Sequence, residues 1–155
     1  MFKNLLSALW LFLLITGPTY GQNASKKEFK ALQGTWKIEK LDIPDDGPRK
    51  DFEKHGKVII KGKTATLMRA DQKFAEFTIQ LDFRKSPKTA DLTIDLIASE
   101  KGAKDPALGK KILLIYVLKG DMLRFFAGAK GQKRPTEFPR KAHQGEVTLK
   151  RLKGK

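Results

Sequence analysis

The chain has 155 residues, no cysteine and a formal net charge of +15. Disulfides and a lipid-modified cysteine are excluded, and a chain of this length suits one domain held together by its own apolar core. The excess of lysine and arginine attracts polyanions, acidic glycans or anionic membrane surfaces, and it also keeps an exported protein soluble.

The N-terminal segment has the layout of a secretory signal peptide. Lys3 precedes an apolar run over Leu5–Ile15, which is followed by a Gly-Pro pair and small residues up to Gly21. That run is about half of the roughly 20 residues that a membrane span requires, so a cleaved leader is favoured over an anchor. We expect a signal peptide over residues 1–21 and one mature domain over 22–155. The protein is then periplasmic or extracellular, and no transmembrane segment remains after cleavage.

A short helix is predicted after the leader, over Lys26–Gln33. Ser25 followed three residues later by Glu28 is a capping-box pattern, in which each side chain bonds the other residue's free backbone N–H. Gly34 suits the left-handed turn that ends a helix. Since two turns of helix are unstable alone, the apolar face of this helix must dock on the rest of the domain.

Short strand-like runs replace the helical period from Thr35 onward. The predicted strands are 36–41, 57–61, 64–69, 74–83, 90–98, 111–118, 122–127 and 146–152. Tight-turn residues separate several of them, so neighbours should pair antiparallel. Closing such a sheet on itself removes the edges that invite aggregation. The expected fold is all-β: a small antiparallel up-and-down barrel of about eight strands with one short N-terminal helix.

Three connections are long, over 42–56, 99–110 and 128–145. Connections beyond about 12 residues are usually functional or mobile, or they contain a further element of secondary structure.

The triplet Gly34-Thr35-Trp36, which follows a short helix and opens the first strand, resembles the first signature of the lipocalins. The resemblance implies that Trp36 closes the barrel floor and that a basic side chain from the last strand packs across its ring. Arg151 shares one face of that strand with Val147 and Leu149, which makes it the matching residue. An arginine over an indole contributes roughly 0.5 to 2 kcal/mol.

Four ordered motifs, the first of which contains this triplet, extend the resemblance over nearly all of the mature chain. They are LQGTWKIEKL from Leu32, KTADLTI from Lys88, LLIYVLKGDMLRFF from Leu113 and KRPTEFP from Lys133. Their order is similar to that of a family of exported lipocalin-like domains best known from planctomycete bacteria. The family has no assigned activity, so the resemblance implies a shape and an export route without catalytic residues. Phe126 stands where many members carry a cysteine.

Residues that perform nucleophilic or metal chemistry are scarce in the mature chain. His55 and His143 are isolated, without the spacing that places two imidazoles on one metal ion. Of the serines, Ser25 is assigned to the helix cap, while Ser86 and Ser99 lie in predicted turns.

The acidic pairs do not suggest a site either. Asp45-Asp46 lacks the alternating oxygen ligands of a calcium loop and reads as a turn. Asp91 and Asp95 share the polar face of a strand, which we expect to face solvent. The sequence therefore favours a protein that is not an enzyme and that uses no metal or cofactor.

The barrel interior is the first candidate binding site. An eight-stranded barrel is either filled by its own side chains or holds one small ligand. Phe77, Ile79, Leu81 and Ile94 are the candidate ligand-binding residues. The other expected wall residues are Phe83, Leu92, Leu96, Leu114, Tyr116, Leu123 and Phe125. Tyr116 supplies a hydroxyl that would either orient a ligand or satisfy a neighbouring backbone group.

The outer face of the predicted hairpin 111–127 is the second candidate. The outer strip, Leu113, Ile115, Val117, Met122 and Phe126, is apolar around Arg124. Such a strip either lies beneath another element or binds a partner, and the N-terminal helix is the expected cover.

The RPTEF segment, residues 134–138, lies in the most basic connection. Two prolines exclude a central strand and favour an extended rim piece. That rim would attract an anionic head group, or Phe138 would plug one end of the barrel while Glu137 pairs with an arginine.

Together these features predict a carrier of a small apolar or amphipathic ligand, anionic ligands included. The alternative is a protein-interaction module, such as an inhibitor or envelope scaffold, that uses the outer strip and the basic loops. An anionic envelope component is a further expected partner. Specific nucleic-acid binding is not expected, because the aromatic residues fall mostly on the inner face.

Overall fold

The computed structural model describes residues 20–42, 49–98, 106–128, 133–139 and 145–153, so the predicted leader lies almost wholly outside them. The elements, in chain order, are α1 (Tyr20–Leu32), β1 (Gly34–Asp42), α2 (Arg49–His55), β2 (Gly56–Lys61), β3 (Thr64–Arg69), β4 (Gln72–Asp82), β5 (Lys88–Ile97), β6 (Lys111–Lys119), β7 (Met122–Ala127) and β8 (Glu146–Arg151). All strand pairs are antiparallel and follow the chain order, and β8 pairs with β1 to close the barrel. The predicted eight-stranded barrel is confirmed.

In the described residues, three hairpins reverse over two residues each, and two of them, β2–β3 and β6–β7, turn at the same end of the barrel. Lys61 is opposite Thr64, and Lys119 is opposite Met122. Gly62 and the equivalent Gly120 adopt φ values of +59° and +58°, which suit the two-residue turns that preserve the twist of paired strands. These turns lie at the same end of the barrel as the start of β1 and the end of β8. We call it the α1 end, and the opposite end, where α2 lies, the α2 end.

A register shift interrupts the inward and outward alternation of β5. Phe77 is opposite Ile94, but the next residue back, Glu76, is opposite Leu96, so Asp95 is the extra residue of a bulge. The bulge turns Leu96 outward, where 39% of it is exposed. The prediction that Leu96 lines the interior was therefore wrong. Phe83 also lies outside the wall, because β4 ends at Asp82 and Phe83 belongs to the following turn.

Helix α1 is longer than predicted, and its predicted cap is absent. It begins at Tyr20, so Ser25 lies inside the helix and not at its N-terminus. The carboxylate of Glu28 bonds Lys88 and Tyr116 of the barrel. The capping-box prediction was therefore wrong. The local pattern assigns the Glu28 side chain to a backbone N–H, but Lys88 and Tyr116, which are distant in sequence, bind it instead. The helix ends at Leu32, and Gly34 then adopts a φ of +121°.

Helix α2 was not predicted, since residues 42–56 read as a loop. Its Phe52 is buried and meets the Phe74 ring edge-on, with 4.9 Å between ring centroids. The backbone N–H of Leu41 donates to Glu53. Gly56 follows the helix so closely that a Cβ there would overlap the Phe52 carbonyl oxygen. Helix α2 thus covers the β1 to β4 side of its end of the barrel.

The described helices do not include one that is both long and apolar enough to cross a bilayer.

Candidate ligand-binding site

The α1 end of the barrel is closed by Trp36 and Arg151, as the lipocalin resemblance implies. The two residues are opposite each other in the β1–β8 pair, and the Arg151 guanidinium lies 4.0 Å from the centroid of the Trp36 ring. The guanidinium also donates to the carbonyl oxygens of Gln33 at 2.5 Å and Ala31 at 2.6 Å. Trp36 is fully buried, and its indole N–H donates to the Leu32 carbonyl at 3.0 Å. One arginine therefore joins the floor tryptophan to the end of α1.

Helix α1 is held across this end by a partly buried polar cluster. Glu28 accepts from the Lys88 ammonium at 2.7 Å and from the Tyr116 hydroxyl at 2.9 Å. Burial first, and then the Glu28 carboxylate, raise the pKa of Tyr116 above its ordinary value of 10.0. The partner of the Tyr116 hydroxyl is thus the Glu28 carboxylate on α1. The sequence suggests either a backbone group or a ligand as its partner.

The inward side chains of the barrel differ in exposure. Most of the large ones are buried: Trp36, Ile38, Ile60, Ile79, Ile94, Leu114, Tyr116, Leu123 and Leu149. Leu81 and Leu118, at the α1 rim, are half-buried. Five further inward residues of β4 to β8 are half-buried although they pack against the core: Phe77, Leu92, Ile112, Phe125 and Val147. We call these five the mouth residues.

The predicted ligand-binding residues all lie on the inner face of β4 and β5. Phe77 pairs with Ile94, and the next inward positions of β4 are Ile79 and Leu81. Ile79 and Ile94 are buried, while Phe77 is half-buried and belongs to the mouth. Their role in binding stays a prediction, and on this geometry Phe77 is the most accessible of the four from the α2 end.

The outer strip is covered only in part, around Ile115, while Val117 and Met122 are exposed, and the cover differs from the prediction. Helix α1 crosses the end of the barrel, and residues 133–139, the strap, lie against the outer face instead. Arg134 of the strap donates to the carbonyl oxygens of Ala90 at 3.0 Å and Leu114 at 2.7 Å, and it pairs with Asp91. Ile115, between these contacts and β7, is 1% exposed.

Phe138 of the strap lies under the guanidinium of Arg124, 5.2 Å from it, and therefore does not plug the barrel. Arg124 in turn forms an ion pair with the buried Glu146 at 2.7 Å. Glu137 is exposed and makes no ion pair with a described arginine. The strap is thus fixed at both ends to the barrel wall.

A cleft of about 200 Å³ opens beside the strap, on the outside of the barrel. Its lining is mostly polar and comprises Gln80, Leu81, Asp82, Lys85, Thr89, Asp91 and Arg134. The Arg84 side chain lowers the pKa of Asp82 by donating a hydrogen bond to its carboxylate. The cleft is smaller than the 300 to 1,000 Å³ typical of sites for drug-sized ligands.

The carboxylates expected to face solvent have partners. Asp91 pairs with Arg134, and Asp95 accepts from the Thr78 hydroxyl at 2.7 Å. His55 is exposed at the end of α2, whereas His143, Ser99 and the Asp45-Asp46 pair lie outside the described residues. Within the described ranges no three His, Asp or Glu side chains are grouped to hold a metal ion.

No protein-family model matches the chain, and no curated protein or solved structure matches it. The resemblance to the exported lipocalin-like family accordingly rests on the sequence motifs alone.

Proposed function

We propose that this protein is an exported, non-enzymatic carrier that binds one small apolar or amphipathic molecule in the α2 half of its barrel. The observation that carries the proposal is the partial exposure of inward apolar side chains. The five mouth residues point into the barrel and belong to its core, yet they remain half-buried, so part of the inner wall is accessible. An eight-stranded barrel has room for one small ligand at most.

The mouth offers an apolar surface on one side of the opening. The five mouth residues lie on the inner face of β4 to β8, where Leu92 is opposite Ile112 and Phe125 is opposite Val147, while α2 and its Phe52 cover the opposite side. Burying one leucine-sized apolar group against such a wall contributes roughly 1.5 to 3 kcal/mol. An alkyl chain or a ring system is the ligand part that this surface suits.

Positive charge at the same end favours an anionic head group. Lys110 and Lys111 are exposed at the start of β6 and form no ion pair with a described carboxylate. The connection 128–145, which joins β7 to β8, also carries Lys130, Lys133, Arg140 and Lys141 in the sequence. A fatty acid combines the two properties, an apolar chain and a carboxylate.

The proposal is tested by fluorescence titration with cis-parinaric acid, a fluorescent fatty acid. Leu92→Trp places a bulky ring inside the mouth, and Thr93→Trp places the same ring on the outer face of the same strand. We expect the first variant to lose affinity about tenfold or more, because an obstructing ring must move or be displaced. The control should bind like the parent.

Circular dichroism establishes that both variants fold, since overpacking costs about 1 to 3 kcal/mol of stability. Equal binding by the two folded variants, or no binding by the parent, would contradict a site in the mouth. Phe125→Trp repeats the test from β7 if Leu92→Trp does not fold.

A further inference from the structure

The α1 end of the barrel carries many exposed lysines that form no ion pair with a described carboxylate. They come from α1, three turns or turn-flanking positions and β8, and we call them the α1-end lysines: Lys26, Lys27, Lys30, Lys61, Lys63, Lys85, Lys119 and Lys150. Because they belong to separate elements that converge on one end, their charges add to a single positive field.

The acidic residues described at this end are already paired. Glu28 binds Lys88, Asp82 binds Arg84, and Asp121 lies 3.5 Å from the Nε of Arg151. The described carboxylates of the α2 end pair with cations of that end, as in Lys40–Asp42, Lys57–Asp71 and Arg69–Asp51. The positive field at the α1 end is therefore not neutralised by the described carboxylates.

Exposed apolar side chains lie among these lysines. Val117, Met122 and Leu152 are 39%, 36% and 46% exposed. Met122 is opposite Lys119 on one side and Lys150 on the other, so Val117 and Leu152 occupy diagonal positions next to it on β6 and after β8. Diagonal neighbours in a sheet are about 7 to 8 Å apart. The three side chains thus form a short apolar row flanked by lysines.

We propose that the α1 end is a docking surface for an anionic lipid bilayer. The α1-end lysines would contact lipid phosphates, at about 1 kcal/mol per lysine near the surface. The apolar row would insert into the interfacial region beside them. This surface is distinct from the mouth, and the proposal does not depend on a ligand in the barrel.

The apolar row favours a membrane over a nucleic acid as the anionic partner. Proteins that bind single strands stack bases on exposed aromatic rings. The large hydrophobic side chains exposed in the described residues are Leu96, Val117, Met122 and Leu152, and none is aromatic. Aliphatic side chains between lysines suit insertion into lipid and offer bases no stacking surface.

Vesicle flotation with the full chain tests the proposal. The probes are vesicles of phosphatidylcholine alone and vesicles that also contain phosphatidylglycerol. Lys119→Gln with Lys150→Gln removes two charges at the α1 end, and the control, Lys110→Gln with Lys111→Gln, removes two at the α2 end. We expect the first pair to weaken binding to anionic vesicles about 30-fold, which equals about 2 kcal/mol, and the control to change it less than threefold.

A second pair of variants tests the apolar row. Met122→Ser should weaken binding several-fold, while Leu96→Ser, at an equally exposed leucine of the other end, should not. Circular dichroism checks the fold of each surface variant. The proposal is overturned if the two lysine pairs lose binding equally, if Met122→Ser has no effect, or if the chain binds heparin or DNA in the same buffer but not anionic vesicles.

Discussion

Arg151 is the residue whose removal should most weaken the α1 end, and Arg151→Ala measures its contribution. The guanidinium loses its position over Trp36, worth roughly 0.5 to 2 kcal/mol. It also loses two charge-assisted hydrogen bonds to the carbonyls of Ala31 and Gln33, each worth up to about 1.5 to 3 kcal/mol. Water compensates for part of the lost contacts, since the Arg151 side chain is 24% exposed. We therefore expect Arg151→Ala to lower the free energy of unfolding by about 3 kcal/mol, a large part of the roughly 5 to 15 kcal/mol that is typical of native proteins.

Urea denaturation followed by Trp36 fluorescence provides the measurement. The measurement uses the chain 22–155, in which Trp36 is the single tryptophan. The free energy of unfolding falls by about 1 to 3 kcal/mol per molar urea in small proteins, so the urea concentration at the unfolding midpoint should fall by about 1 to 3 M. The Trp36 emission of the folded variant should also shift to longer wavelength.

Arg69→Ala is the matched control at the other end. The Arg69 guanidinium lies 5.9 Å from the Phe74 ring centroid and 3.5 Å from Asp51, and within the described ranges it donates to no backbone carbonyl. Its side chain is 39% exposed, so we expect its removal to cost less than about 1 kcal/mol. If Arg151→Ala costs no more than Arg69→Ala, the reasoning about the floor arginine is wrong.

Three further changes test other contacts. Arg134→Ala removes the strap's bonds to Ala90, Leu114 and Asp91, and we expect limited trypsin digestion after Lys133 to accelerate at least several-fold; an unchanged rate would show that other contacts hold the strap. Tyr116 has a raised pKa in the folded state, so its contribution to stability is present below its ordinary value near 10 and is lost as the pH rises through the higher folded value. Tyr116→Phe should therefore flatten the fall in stability above about pH 10, which urea titrations at several pH values measure. Gly56→Ala should lower the free energy of unfolding by more than about 2 kcal/mol in the same assay, because its Cβ overlaps the Phe52 backbone. Gly62→Ala places its Cβ in open space and should lower it by only about 1 to 2 kcal/mol, because the positive φ disfavours alanine.

The barrel and its floor were predictable because their signals are local and regular. Period-two alternation identifies each strand, and the tight turns between several strands require antiparallel neighbours. The contact between Trp36 and Arg151 joins residues far apart in sequence, yet the alternation of the last strand places Arg151 on the correct face. A prediction of which face a residue occupies holds as long as the period is unbroken.

The errors have specific physical causes. Helix α2 has one buried apolar residue, Phe52, so its sequence lacks the repeating apolar face that indicates a helix. The bulge at Asp95 carries no glycine or proline, and nothing in the local sequence marks the turn of Leu96 to the surface. Glu28 fits a capping box in sequence, but its partners Lys88 and Tyr116 lie 60 and 88 residues away.

The two ends of this barrel carry different chemistry, and that difference makes the two proposals separable. A bilayer bound at the α1 end would leave the mouth facing away from the lipid, so a carrier docked in this way would exchange its ligand with the aqueous side. Leu92→Trp should then leave vesicle binding unchanged, and the Lys119 and Lys150 variant should leave the affinity for cis-parinaric acid unchanged. If either variant alters both measurements by similar factors, one surface performs both tasks, and the assignment of separate functions to the two ends is wrong.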